Sequence, residues 1–466
     1  MLLFAVLLAL FAANIASALP TISVKGAKFF ASGQQFYLKG MLFAPIFRWI
    51  LLIIIGVAYQ GTPADPLVDT NQCQLDAASM QAIGTNSIRV YHVDPYVNHD
   101  GCMKAFSDAG IYVWLDLDTF NTTVVQTDQQ WTLEQFAAFA LVMDVFQGYD
   151  NIGGFWIGNE VINTASGSPA APYVKAATAD MKSYMAAKKY RTIPIGYSAA
   201  DIAELRPMLQ NYLACGDTQD QSIDFFGLNS YEWCGDATYA TSGYSNLQAM
   251  AEGYSIPIFF SETGCNVGGE RTFQDQTAIF GSGMAGTWSG SIIYEWVQET
   301  NDYGLVTYPG GGIYTGAPTP IQPDYNNLQT VWKSVDPPAV QEADYSPSLV
   351  APACPSASAG WAVNGNVPLP TLGSGSWNNI VASSFSPPPP ATTTSSSNPI
   401  SSSTSLASKY TSTSAALNSV VSPLSAEVST GSSGMIRTPL LHSTLPPSLE
   451  LRSLYLPLCI FGAIVH

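Results

Sequence analysis

Between Phe36 and Val297 the chain repeats one pattern, a short apolar run followed by a longer stretch compatible with a helix. Parallel strands need a crossover long enough to hold a helix, so this alternation predicts repeated β/α units. Eight candidate strands are found: Phe36 to Gly40 with Val57 to Tyr59, then Ser87 to Val93, Tyr112 to Leu117, Ile152 to Ile157, Thr192 to Tyr197, Phe225 to Tyr231, Ile256 to Phe260, and Ser291 to Trp296. Eight such units predict an α/β fold, a (β/α)8 TIM barrel, whose active site lies at the carboxyl ends of the strands.

Two of those ends carry a glutamate. Glu160 closes Ile152-Gly-Gly-Phe-Trp-Ile-Gly-Asn-Glu160, and Glu262 closes Ile256-Pro-Ile-Phe-Phe-Ser-Glu262. Cleaving an acetal with retention needs one carboxyl group to protonate the leaving oxygen and another, about 5 Å away, to attack the anomeric carbon. Strand ends are rigid enough to hold that spacing. A single such Glu could merely cap a strand in solvent; the pair, with Asn159 before one and Ser261-Glu262-Thr-Gly264 around the other, points to a glycosidase-type site.

The net charge of −17 argues against nucleic acid and anionic membrane surfaces as partners, since both ask for a basic footprint. Residues 1–18 combine an apolar run from Leu2 with Ala16-Ser-Ala18 and read as a secretory signal, although the basic flank is missing. Secretion makes the cysteines disulfide candidates; Cys73, Cys102, Cys215, Cys234, Cys265 and Cys354 precede the terminal apolar tail, and their fifteen possible pairings stay open on spacing alone. No close Cys-x-x-Cys or His pair suggests a metal, and nothing suggests an organic cofactor.

The organisation expected is a catalytic barrel over 19–355, a disordered Ser/Thr/Pro-rich stalk over 370–447, and an apolar tail over 448–466 resembling a glycosylphosphatidylinositol (GPI) signal. Met41 to Ile55 is a foreign apolar run inside the first candidate strand, too short and too interrupted by Pro45 and Arg48 to span a membrane. Its removal joins Phe36-Tyr-Leu-Lys-Gly40 to Gly56-Val-Ala-Tyr-Gln60, so it is read as an intron translated by a gene model. If genuine, it is an insertion exposing apolar surface beside the barrel.

Gly56-Val-Ala-Tyr-Gln60, Ile88-Arg-Val-Tyr91, Gly158-Asn-Glu160, Asn229-Ser-Tyr-Glu-Trp-Cys234 and Phe260-Ser-Glu-Thr-Gly-Cys265, in this order, resemble glycoside hydrolase family 72, the fungal β-1,3-glucanosyltransferases of the Gas/Gel/Phr type. The resemblance covers roughly 21–354. It implies Glu160 as acid/base, Glu262 as nucleophile, and Asn159 as the hydrogen-bond partner of the sugar 2-hydroxyl. Tyr231 would keep Glu262 in position and ionised. Gln60, Tyr91 and Asp116 would line the donor side, while Tyr294, Tyr303 and Trp296 would offer aromatic surface to acceptor sugars; taken singly, each tyrosine reads more readily as a core or hydroxyl-satisfied packing residue. The resemblance also implies disulfides Cys73–Cys102, Cys234–Cys265 and Cys215–Cys354. Only Cys459 follows Cys354, as in the subgroup without a cysteine-rich carbohydrate-binding module. Its partners would be β-1,3-glucan donor and acceptor chains and, through a GPI anchor, the outer face of the plasma membrane or the cell wall. Asn121-Thr-Thr123 is a glycosylation sequon after the third strand. A retaining endo-β-1,3-glucanase shares every catalytic residue, and an inactive glucan-binding wall protein is the reading from another class.

Overall fold

A computed structural model describes residues 19–39, 53–60, 65–119, 121–216 and 219–382. Eight parallel strands close a barrel: β1 (Ile53–Ala58), β2 (Ser87–Val90), β3 (Tyr112–Asp116), β4 (Ile152–Asn159), β5 (Ile195–Ala200), β6 (Phe225–Asn229), β7 (Ile258–Thr263) and β8 (Trp288–Ile293). Closure is explicit in the register, where Ser291, Ile292 and Ile293 of β8 pair with Ile55, Gly56 and Val57 of β1. The crossovers carry α1 (Thr70–Ile83), α2 (Asp100–Asp108), α3 (Leu133–Phe146), α4 (Ala171–Ala187), α5 (Arg206–Ala214), α6 (Tyr244–Ala251) and α7 (Gln274–Ile279), and α8 (Asp324–Ser334) follows β8. Local chemistry sets these ends: Asp69 caps α1 through two backbone N–H groups, Gly84 ends it in the left-handed region, and Thr132 with Gln135 forms a capping box on α3.

The barrel interior is filled by aromatic rings. Trp114, Trp156, Phe225 and Phe259 are fully buried and pack edge to face or tilted, with centroids 4.8–5.8 Å apart. Rings of this size need bare backbone opposite them: a Cβ at Gly196 would lie 2.2 Å from Phe225. An antiparallel hairpin formed by Ser23–Lys25 and Lys28–Ala31 inserts Phe29 against Trp114, Phe225 and Phe259. Being filled in this way, the barrel is a packed core, and its chemistry belongs at the strand ends.

Two expectations need correction. In the chain as given, Leu38–Lys39 of the first candidate strand pairs antiparallel with Ile53 and Ile54, and Ile53–Ile55, the last part of the suspected insertion, supplies the first half of β1. These residues directly precede Gly56 in the chain as given, and their backbone pairs in register alongside it, Ile55 with β8 and Ile53 and Ile54 with Leu38–Lys39. The rest of that insertion, 41–52, lies outside the described residues, as do the leader 1–18 and all of the stalk and tail beyond 382.

The folded unit also runs past the expected boundaries at 355 and 370. Cys354 is bonded to Cys215, and the chain then crosses α5, α4 and α3. Trp361 lies 5.6 Å from the Tyr212 ring, Ala362 N–H donates to Ser168 Oγ, Leu372 N–H donates to Asp180, and α9 (Ser374–Ala382) stacks Trp377 on Phe136 at 5.4 Å. Its Ser/Gly/Pro composition hid this strap, whose burial rests on two tryptophans, each at most 3% exposed. Truncating a buried Trp to Ala removes about 3–5 kcal/mol. Trp377→Ala is therefore expected to lower Tm by roughly 5–15 °C in a thermal melt, with activity at room temperature retained.

Candidate active site

Arg89 stands at the centre of the carboxyl face. It is the one charged residue of β2, and a cation inside an apolar strand must face inward and be paired. It is fully buried: Nε and Nη2 donate to Asp116 at 3.1 and 3.0 Å, Nη1 to Ser198 Oγ at 2.9 Å, and Nη2 to Asn159 Oδ1 at 3.1 Å. Its Nη1 lies 3.5 Å from Glu262 Oε1.

Glu262 ends β7 only 8% exposed. Tyr91 OH donates to Oε1 at 2.9 Å and Tyr231 OH to Oε2 at 2.8 Å, so each oxygen is held by a tyrosine. Burial pushes its carboxyl up to about 7 and the nearby Glu160 charge adds to the rise, while Arg89, Tyr231 and Tyr91 pull downward. Tyr231 thus favours the ionised form, as expected, but does not outweigh burial.

Glu160 follows β4 with φ +48°, a left-handed conformation that costs a non-glycine residue on the order of 1–3 kcal/mol. The turn ends the strand abruptly and leaves the side chain half-exposed, its Oε1 accepting from Asn229 Nδ2 at 2.8 Å. Asn229 also donates to Asn159 Oδ1, while its own Oδ1 accepts from Ser198 and Ser261. The β6–β7 register shifts between Leu228 and Asn229, which brings Asn229 opposite Glu262. One amide therefore links both strand ends, a role for bulges beside active sites. Asn159 Oδ1 is engaged twice and its Nδ2 has no protein partner among the described residues, leaving a donor for a sugar hydroxyl.

Three expected contacts are corrected. Asp116 is 1% exposed and bound by Arg89, so it supports the site from beneath instead of lining it. Gln60 is 7% exposed and spends its Oε1 on the backbone N–H groups of Tyr91 and His92, so it fixes Tyr91. Trp296 is fully buried and donates to Tyr308 OH, which makes it core and not acceptor surface. Tyr231, Tyr294 and Tyr303 do come together, half-buried, with ring centroids 5.3–6.3 Å apart beside Glu262. Sequence reasoning assigned no role to Arg89 or Asn229, although both lay within recognised motifs; the lone cation in β2 was the available signal. Cys234–Cys265 joins the loops after β6 and β7, and Cys73–Cys102 ties α1 to α2. Among the described residues no cluster of metal-ligating side chains occurs.

A closed β/α barrel with two coupled carboxyl groups at the carboxyl ends of β4 and β7, beside an aromatic wall, defines a glycosidase-type enzyme. The chain belongs to the glucanosyltransferase family, whose model matches residues 11–336. It is 40% identical to the 1,3-beta-glucanosyltransferase gas2 of Schizosaccharomyces pombe over 78% of this chain and 79% of that protein. Against Protein EPD1 of Candida maltosa identity is again 40%, over 75% of this chain and 61% of the relative. Among solved structures, Saccharomyces cerevisiae Gas2p, a glutamate-to-glutamine mutant in complex with laminaritetraose and laminaripentaose, aligns with TM-score 0.66 and 35% identity over 76% of this chain and 75% of that one.

Proposed function

We propose that this protein is a 1,3-β-glucanosyltransferase working by double displacement on β-1,3-glucan. The observation that carries the reading is the pair of differently held carboxyl groups, Glu262 fixed through both oxygens and Glu160 half-exposed on one amide. Glu262 attacks the anomeric carbon of an internal residue, the bond to the departing O3 breaks, and Glu160 gives that oxygen its proton. The glucanosyl ester on Glu262 then meets the 3-hydroxyl at a non-reducing end. Glu160 takes the hydroxyl proton, the new C1–O3 bond forms, and the ester breaks to return Glu262. Water completes the same step as hydrolysis, so transfer depends on an acceptor held better than water. Tyr294 and Tyr303 supply aromatic surface for such a sugar.

Incubating the secreted protein with a reduced laminari-oligosaccharide tests this reading. Products longer than the substrate are expected from the chain made without residues 41–55, which we take to be an intron removed from the natural message; mature transcripts containing them would refute that. Only shorter products would indicate an endo-glucanase, and unchanged substrate a binding protein.

The same reading places the protein outside the cell, led out by residues 1–18 and held on the membrane or wall by an anchor added where the tail is cut. Asn121 is exposed and so open to a glycan. Release from intact cells by a phosphatidylinositol-specific phospholipase would support the anchor, and retention after that treatment would count against it.

A further inference from the structure

The tyrosine wall hangs on one buried cation whose contacts include neither carboxyl group of the pair. Arg271, in the loop after β7, is 6% exposed. Its Nη2 donates to the main-chain carbonyl of Tyr294 at 2.8 Å, and its Nη1 to that of Tyr303 at 2.7 Å. Nη1 also reaches Asp324 of α8 at 3.4 Å, and the guanidinium carbon lies 4.8 Å over Phe273 and 5.7 Å over the Tyr303 ring. The backbone of Arg271 is itself pinned, since Asn327 Nδ2 donates to its carbonyl at 3.0 Å. One side chain thus joins the loop that follows the nucleophile strand, the end of β8, the loop beyond it and α8. The opposite edge of the same loop is closed by Glu295, which accepts from Asn301 Nδ2 at 2.7 Å, and by Asn266, which donates to the carbonyls of Asn301 and Asp302. A buried guanidinium is costly unless its geometry is used, and here the planar fork matches two carbonyls on separate segments, which a single ammonium cannot copy.

We propose that Arg271 is a positioning residue for the transfer step: by fixing the main chain of Tyr294 and Tyr303 it sets the aromatic wall against which the acceptor sugar docks, and so controls how the glucanosyl intermediate divides between sugar and water. The inference rests on the proposed transferase reading. Arg271 touches neither carboxyl group, so donor cleavage does not depend on it. Misplacing bound groups by about an ångström can change rates by about a hundredfold, which makes acceptor capture the sensitive step.

The test follows donor cleavage and the ratio of elongated to hydrolysed product for wild type, Arg271→Met and Arg271→Lys, across a series of acceptor concentrations. Arg271→Met is expected to keep donor cleavage within about threefold of wild type while the transfer ratio falls about tenfold and recovers as acceptor is raised, an effect on acceptor KM; Arg271→Lys is expected to fall between. Asp324→Asn, which loosens only the anchor of the guanidinium, is expected to shift the ratio the same way by a smaller factor and serves if Arg271→Met does not fold. An unchanged ratio in the folded variants, or parallel loss of cleavage and transfer without acceptor rescue, overturns the inference. Wild type that makes no elongated product overturns the transferase reading itself, a distinct result.

Discussion

Glu262→Ala is expected to be inactive on β-1,3-glucan, with kcat lowered about 10⁴-fold or more, because its carboxyl group is the one that Tyr91, Tyr231 and Arg89 hold in place for attack on the anomeric carbon. Azide should then restore product formation by occupying the space of the missing carboxylate, and the glucanosyl azide should be α-linked after a single inversion. Glu160→Ala behaves differently. On a substrate with an activated aryl leaving group it should form the ester and stall, and azide should release a β-linked azide from the face that Glu160 serves. Analysis of the two azides by NMR checks both assignments at once; exchanged anomers would reverse the roles, and rescue in neither variant would argue against a covalent intermediate.

The same side chain gives a stability signature. The carboxyl of Glu262 is raised from 4.5 to about 7, mainly by burial, so the folded state holds this proton more tightly than the unfolded chain does. That contribution is fully present below about pH 4.5 and is lost as pH rises through about 7. Glu262→Gln does not titrate. Its stability relative to wild type, followed by Tm, is therefore expected to climb between about pH 4.5 and 7, by an amount on the order of 1–3 kcal/mol at neutral pH. A pH-independent difference in Tm would show that the carboxyl is not raised.

Arg89→Met is the second large effect. It leaves Asp116 buried and uncompensated, and breaking such a pair costs about 3–5 kcal/mol. It also frees Asn159 and removes the positive charge beside Glu262, so kcat/KM should fall by about 10²–10³. Glu262 must be ionised to attack, so activity rises with pH through its pKa; losing the downward pull of Arg89 moves that acidic limb to higher pH. Arg89→Lys should rescue little, since one ammonium cannot reach Asp116, Ser198 and Asn159 together. The double change Arg89→Met with Asp116→Asn removes the orphaned charge and should recover most of the melting temperature with little recovery of activity. Recovery of both would reduce Arg89 to a structural role.

The order of motifs reveals the barrel because strand and helix lengths are local properties, and β/α alternation allows few ways to close a sheet. Glu160 and Glu262 were legible for the same reason, since each ends a run that can only be a barrel strand. Whether a polar residue near a strand end faces sugar or props up another side chain is a different matter. Gln60 and Asp116 read as lining residues, but Gln60 is bonded to the backbone just after β2 and Asp116 to Arg89, contacts that no single segment encodes. Trp296 looked like a sugar platform and packs inside for lack of any local sign of which way its ring turns. The strap from Cys354 to Ala382 escaped because its composition is that of a linker, and only the grooves on α3, α4 and α5 give Trp361 and Trp377 somewhere to be buried.

The sequence by itself determined the fold class, the two strand-end carboxyl groups and the family motifs, because these follow from periodicity and from residues fixed within one β/α unit. The tertiary structure alone decided that Arg89 and Asn229 couple those carboxyl groups, that burial raises Glu262, and that Arg271 carries the tyrosine wall. Each of these depends on desolvation and on hydrogen bonds between strands and loops far apart in the chain, quantities that exist only once the barrel has closed.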